Sequence, residues 1–206
     1  MSESRASRGP YRTGVARRRQ IIASAAEVFA AVGYRSGSLR QIAHEVGVTP
    51  AALTRHFGDK EALLTAVLEY WREQTDLLRD PDASGLEFFD GLRRLVRYHV
   101  DHPGYLELFL TLSTEATDPS HPAARFIRQR YDSTVADSRA QLAAAVEAGE
   151  LRRMDDTEIE HECRALIAYM DGIELQWLLN PAIDLVRQFD QQLAVTLRRW
   201  GSGPRA

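Results

Sequence analysis

Long apolar runs are missing from this chain of 206 residues, and nothing approaches the roughly 18 consecutive apolar side chains of a membrane-spanning helix. The first residues, Met1 to Arg19, are polar and arginine-rich without an apolar stretch, which argues against a secretory signal. Cysteine is nearly absent: Cys163 alone cannot form an intrachain disulfide and suits a reducing compartment, so a cytoplasmic location is expected. Of the 26 basic side chains only Lys60 is lysine, which reads as coding bias and not as chemistry. No G-x-S-x-G elbow, phosphate-binding loop or G-x-G-x-x-G run occurs, so the catalytic frameworks those motifs carry are excluded and no enzyme is expected. Sustained period-two alternation is also lacking, which leaves an all-α chain.

What is present is a length sufficient for a buried core, 44% hydrophobic residues, and a lopsided charge distribution beneath a net −3. Residues 1–60 carry ten basic against four acidic side chains, +6, while residues 61–206 carry 16 against 25, −9. A basic head on an acidic body implies a polyanionic partner for the head alone.

Apolar spacing and caps divide the chain into about nine helices. Residues 1–12 read as a flexible arm, residues 13–60 as a small head and residues 61–206 as a larger body. In the head, Ile21, Ala25, Val28, Phe29 and Val32 form one face of a helix from about Val15 to Val32, stopped by Gly33. Ser38 with Gln41 makes a capping box opening a second helix through about Val46. Gly47 supplies a left-handed turn, and Thr49 caps a third helix with Pro50 at its first position. Gly58 ends that helix, and Asp59 caps a fourth reaching about Leu78. Beyond the loop at 80–85, helices are expected over 86–102, 105–117, 122–148, 157–179 and 184–200.

Two short helices joined by a glycine turn, from Ser38 to Phe57, follow the helix-turn-helix pattern, in which the second helix enters a major groove. Ile42, Ala43, Val46, Val48 and Leu53 supply its inner contacts, with Ala43 where a larger residue would push the helices apart. Thr49, Pro50, Ala51, Ala52, Thr54, Arg55 and His56 then face outward, and the methyl and hydroxyl groups nearest the N-terminus suit base edges. A generic helical hairpin would share this spacing; the +6 charge favours a double-stranded DNA operator as partner. Arg17, Arg18 and Arg19 oppose the dipole of the helix they open, so a nearby anion is expected for Arg17 and Arg18.

The runs RQIIASAAEVFAAVGY (residues 19–34), LRQIAHEVGVT (39–49) and LTRHFGDKEALL (53–64) resemble the tetracycline-repressor-like (TetR) family, and DGIELQWLL (171–179) extends the likeness more weakly. The resemblance implies a dimeric, ligand-responsive transcriptional regulator, in most cases a repressor. It places Arg40 and Gln41 among second-helix contacts, Thr49 to Ala52 at base readout, and His56 and Lys60 at phosphates. Thr54 stands where the family usually has a tyrosine, losing ring area but keeping a hydrogen-bond donor; Ala51 replaces a frequent glycine.

In the body, broad apolar stripes on the last two helices point to a two-fold dimer through a four-helix bundle, with Met170, Ile173, Trp177, Val186, Phe189, Leu193 and Trp200 at the interface. The competing reading is ordinary core packing. An apolar effector with one or two polar handles is expected among Trp71, Phe88, Phe89, Tyr98, Tyr105, Phe109, Tyr131, Tyr169 and Trp177. His99 and His102, or His161 with Cys163, lack a second ligand cluster, so neither metal nor cofactor is expected. The alternative functions are a helical protein–protein module with a basic head and an enzyme built on a bundle.

Overall fold

A computed structural model describes residues 9–78, 80 and 82–201. These form nine α-helices and one 3-10 helix, with no strand among the described residues. The helices are α1 (Gly9–Ser36), α2 (Leu39–Val46), α3 (Pro50–Phe57), α4 (Lys60–Asp76), α5 (Asp90–Asp101), α6 (Pro103–Glu115), α7 (Ala124–Glu147), α8 (Asp156–Leu179) and α9 (Leu185–Gly201). Of the expected arm at 1–12, residues 1–8 lie outside the described residues, whereas Gly9 to Arg12 already belong to α1. Proline tolerates a helix start, and Pro10 sits in the first turn.

The chain divides into two compact units, the first ending at Trp71 and the second beginning at Arg72. The expected junction at residue 60 therefore moves into α4. The reason is burial: Leu63, Leu64, Val67 and Leu68 on its first turns are all withdrawn from solvent.

In the first unit, local chemistry explains each helix end. The long first helix is interrupted at Gly33 (φ 76°, ψ 161°) and adds one further turn to Ser36. Ser38 Oγ accepts from the Gln41 amide at 3.2 Å and Thr49 Oγ1 from the Ala52 amide at 3.1 Å, satisfying orphan donors of α2 and α3. Gly47 adopts φ 69°, ψ 42°, which brings its amide to His44 O (3.0 Å) and the Val48 amide to Ala43 O (2.9 Å). That paired closure requires a left-handed residue, and glycine reaches it without steric cost. Asp59 Oδ1 accepts from Ala62 N at 2.8 Å to open α4.

In the second unit, α8 packs against α6, α7 and α9, and α5 against α6 and α9. The core joins Phe89, Leu92 and Val96 to Leu142 and Ala145, to Ile159, Leu166 and Met170, and to Phe189, Leu193 and Trp200. The helix expected over 86–102 begins instead as a 3-10 helix (Gly85–Phe89) followed by α5. Two anchors favour the tighter turn: Gly85 N donates to Gln141 Oε1 at 2.9 Å, and the Phe89 ring meets Trp200 at 5.1 Å. Glu162 joins α8 to the end of α9, accepting from Trp200 Nε1 at 2.9 Å and from Arg199.

Candidate nucleic-acid interface and effector cleft

The third helix is anchored by Leu53 and Phe57, both buried, which turns Thr49, Pro50, Ala51, Thr54, Arg55 and His56 outward with Ala52 half-buried. Arg40 and Gln41, at the start of α2, are exposed as well. The head thus presents one continuous set of methyl, hydroxyl and basic groups on short, capped helices, a surface chemically suited to a major groove.

Three expected phosphate contacts are also engaged within the head. Arg17 Nη2 donates to Val46 O at 3.0 Å and Gly47 O at 3.3 Å, while Nη1 donates to Gln20 Oε1 at 2.8 Å. These two carbonyls lie at the end of α2, where a cation complements the helix dipole. Arg18 lies over the Phe57 ring, 4.6 Å from its centroid. Lys60 Nζ donates to Arg35 O at 3.1 Å and sits 4.4 Å from the Tyr34 centroid, binding the start of α4 to the end of α1. Tyr34 is itself pushed above the usual phenol range, first by burial and then by the charges of Glu61 and Asp59.

In the second unit a cleft of about 680 Å³ runs between α6 and α8. Leu110, Leu175, Leu178 and Leu179 supply its apolar lining, and Glu107, Thr111, Ser113, Thr114, Thr117 and Asp171 its polar groups. Tyr131, on α7, donates to Asp171 Oδ2 at 2.8 Å. Burial raises the Asp171 carboxyl to about 6; the Tyr131 hydrogen bond opposes that rise, Glu174 adds to it, and His99 opposes it. Beside it His99 Nδ1 meets Glu174 Oε1 at 2.7 Å, both fully withdrawn from water.

Residues 21–67 match the family described as bacterial regulatory proteins, tetR family. The HTH-type transcriptional regulator TtgR of Pseudomonas putida is 32% identical over 182 residues, 82% of this chain and 84% of that one. The chain belongs to the TetR family. Solved structures show the same fold: MexZ, a repressor of Pseudomonas aeruginosa, at TM-score 0.75 and 21% identity, covering 92% of this chain and 96% of that one. A SmeT–triclosan complex follows at TM-score 0.71 and 18% identity, with 92% and 93% covered. TtgR is a transcriptional regulator and MexZ a repressor.

Packing places two sets of residues singled out in the sequence of this TetR-family body, and it moves the expected dimer residues into the core. None of the aromatic residues expected to hold an effector lines the α6–α8 cleft. Trp71 and Phe89 are core residues, Tyr98 stacks on His102 at 4.1 Å, and Phe109 meets Tyr131 at 5.9 Å. Tyr105 faces His102 at 6.5 Å, and the Tyr169 hydroxyl donates to Gln188 O at 3.4 Å, holding α8 to α9. Aromatic content pointed to bulk burial; the cleft is walled by leucine and threonine instead. Likewise Phe189, Leu193 and Trp200 are 0% exposed within one chain, and Met170 and Ile173 are nearly as buried. They belong to the core and leave no surface for a second copy; Trp177 and Val186 are half-buried. The reading of α9 as a stripe facing a partner fails because α5 and α8 already cover that side.

The histidine pairs are resolved too. His99 turns to Glu174, while His102 Nδ1 lies 2.9 Å from Tyr98 O on its own side of the α5–α6 corner. Cys163 is buried in the core, where burial pushes its thiol up to about 12, and Glu162 is held by Trp200. Among the described residues no helix is long and apolar enough to cross a membrane.

Proposed function

We propose that this chain is a sequence-specific regulator that binds a palindromic operator as a homodimer and is released from it by a small molecule held in the second unit. The observation that carries this is the α3 face: a capped eight-residue helix, anchored by Leu53 and Phe57, presenting Thr49, Pro50, Ala51 and Ala52 at its leading turn. Exposed Arg40, Gln41, Thr54, Arg55 and His56 support the reading as further contacts, with His56 and Lys60 assigned to phosphates and Arg18 adding charge. Two such helices reading one operator need half-sites about 34–36 Å apart.

The dimer reading keeps α8 and α9 but moves the face. Ala165, Ala168 and Gln176 of α8 are exposed, as are Gln188, Gln191 and Val195 of α9. Small side chains on α8 allow close helix approach, and exposed Val195 supplies apolar area. The effector reading is supported by the α6–α8 cleft and by the triclosan bound to SmeT, whose fold this chain shares. Release is a shift of populations: a ligand that binds better to one arrangement of the dimer draws it away from the arrangement matching the operator.

Selection of duplexes from a random-sequence pool tests the reading. Enrichment of a two-fold symmetric site, bound more weakly as salt rises, is the expected result. Substituting Thr49 or Ala52 should change which sequence is enriched, each lost base contact weakening its site by about 1–3 kcal/mol. A pool that stays random after selection overturns the proposal in favour of a basic head that binds acidic surfaces without sequence readout.

A further inference from the structure

We infer that the α6–α8 cleft takes an organic cation, with the apolar body on the leucine wall and the cationic head at Asp171. This rests on the reading of the second unit as the effector-binding unit and adds the chemistry of its ligand. Charge complementarity within a defined shape favours a cation. Among the described residues the cleft is lined by two acids, Glu107 on α6 and Asp171 on α8, and by no arginine, lysine or histidine. Its remaining polar groups are hydroxyls, including Thr111, Ser113 and Thr114, that accept hydrogen bonds from an ammonium as readily as they donate.

Asp171 is positioned for the cationic head. Tyr131 donates to Oδ2 from the α7 side, orienting the carboxylate and leaving its other oxygen for a ligand. The leucines at 110, 175, 178 and 179 offer an apolar body a surface on both helices. A cation of this shape replaces water at a carboxylate that burial has made reluctant to ionise, and offsets the repulsion it feels from Glu174. A carboxylate ligand of the same length would meet the two acids and gain nothing from the hydroxyls that water does not already provide.

Calorimetric titration of the full chain with decylammonium, and separately with decanoate, tests this below their micelle concentrations. The expected result is saturable binding of the cation, one per chain, and none of decanoate. Asp171→Asn should weaken the cation about tenfold, the scale of one charged contact. Thr114→Arg, on an exposed residue at the cleft, should do the same by repulsion and guards against a fold defect in the first variant. Affinity should also fall as pH drops from 7 to 5, because Asp171 protonates near 6. The other titratable groups that bear on it are Tyr131 on α7, Glu174 on α8, His99 on α5 and Glu107 across the cleft on α6. Equal binding of decanoate, or cation binding indifferent to both variants, overturns the inference. The same preparations are assayed for operator binding. A protein that binds its operator but not the cation loses only this inference, and one that binds the cation but no DNA loses the regulator reading and keeps the site.

Discussion

Asp171 is a carboxylate kept in the fold at a cost in stability. Its carboxyl protonates near 6 in the folded chain and near 3.8 when exposed, so between those values the folded state binds more protons than the unfolded one. Stability must therefore fall as pH rises from about 4 to 6 and stay lowered above it, by about 3 kcal/mol for a shift of about two units. Asp171→Asn, which can still accept from Tyr131, should raise the melting temperature at pH 7.5 and lose that advantage by pH 4; an unchanged pH profile would show that the carboxyl is solvated. The neighbouring His99–Glu174 pair behaves differently, since each partner answers the other. Glu174→Leu alone should cost about 3–5 kcal/mol by leaving His99 buried without its carboxylate, whereas His99→Leu with Glu174→Leu should restore most of it. Denaturant melts of the double-mutant cycle separate these outcomes.

At the scale of the helix-turn-helix, the turn is held from outside as well as by its own glycine. Arg17, on α1, bonds the carbonyls of Val46 and Gly47, so the junction of α2 and α3 is tied to the first helix. Arg17→Ala should destabilise the first unit by about 1–2 kcal/mol, read by hydrogen exchange at α2 and α3 amides, without changing the preferred operator. Periodicity and caps made α2 and α3 readable to the residue, because Ser38, Gly47, Thr49 and Asp59 act on atoms a few residues away. The tie from Arg17 was not readable, since it joins positions 29 and 30 residues apart. Gly37 shows the same limit: a Cβ there would lie 2.9 Å from Phe29 Cδ1, so the corner between α1 and α2 depends on a missing side chain that no local pattern marks.

At the scale of the whole molecule, the +6 of residues 1–60 does not act as a single cloud. Lys60 and Arg17 hold helices of the head together, while exposed Arg40 is directed at solvent from the α2 start. Arg40→Ala should lower the slope of log affinity against log salt by about one unit with no change in melting temperature. Lys60→Ala should instead lower the melting temperature of the head, because it loosens α4 from Tyr34 and Arg35. If the exposed α8–α9 face carries the second copy, Val195→Arg should yield monomers by sedimentation and abolish binding to the full operator.

The sequence by itself determined the all-α class, the bounds of α2 and α3, the order of the helices, and the family. All of these rest on contacts between near neighbours: caps, turns and the 3.6-residue period. Tertiary structure alone decided which apolar residues are core and which are surface. A helix that is apolar on two sides announces two neighbours but not whose they are, and α5 and α8 turned out to occupy the side of α9 expected for a partner. It also decided that the cleft is built from leucines, hydroxyls and Asp171, because a cavity is defined by what packing leaves unfilled.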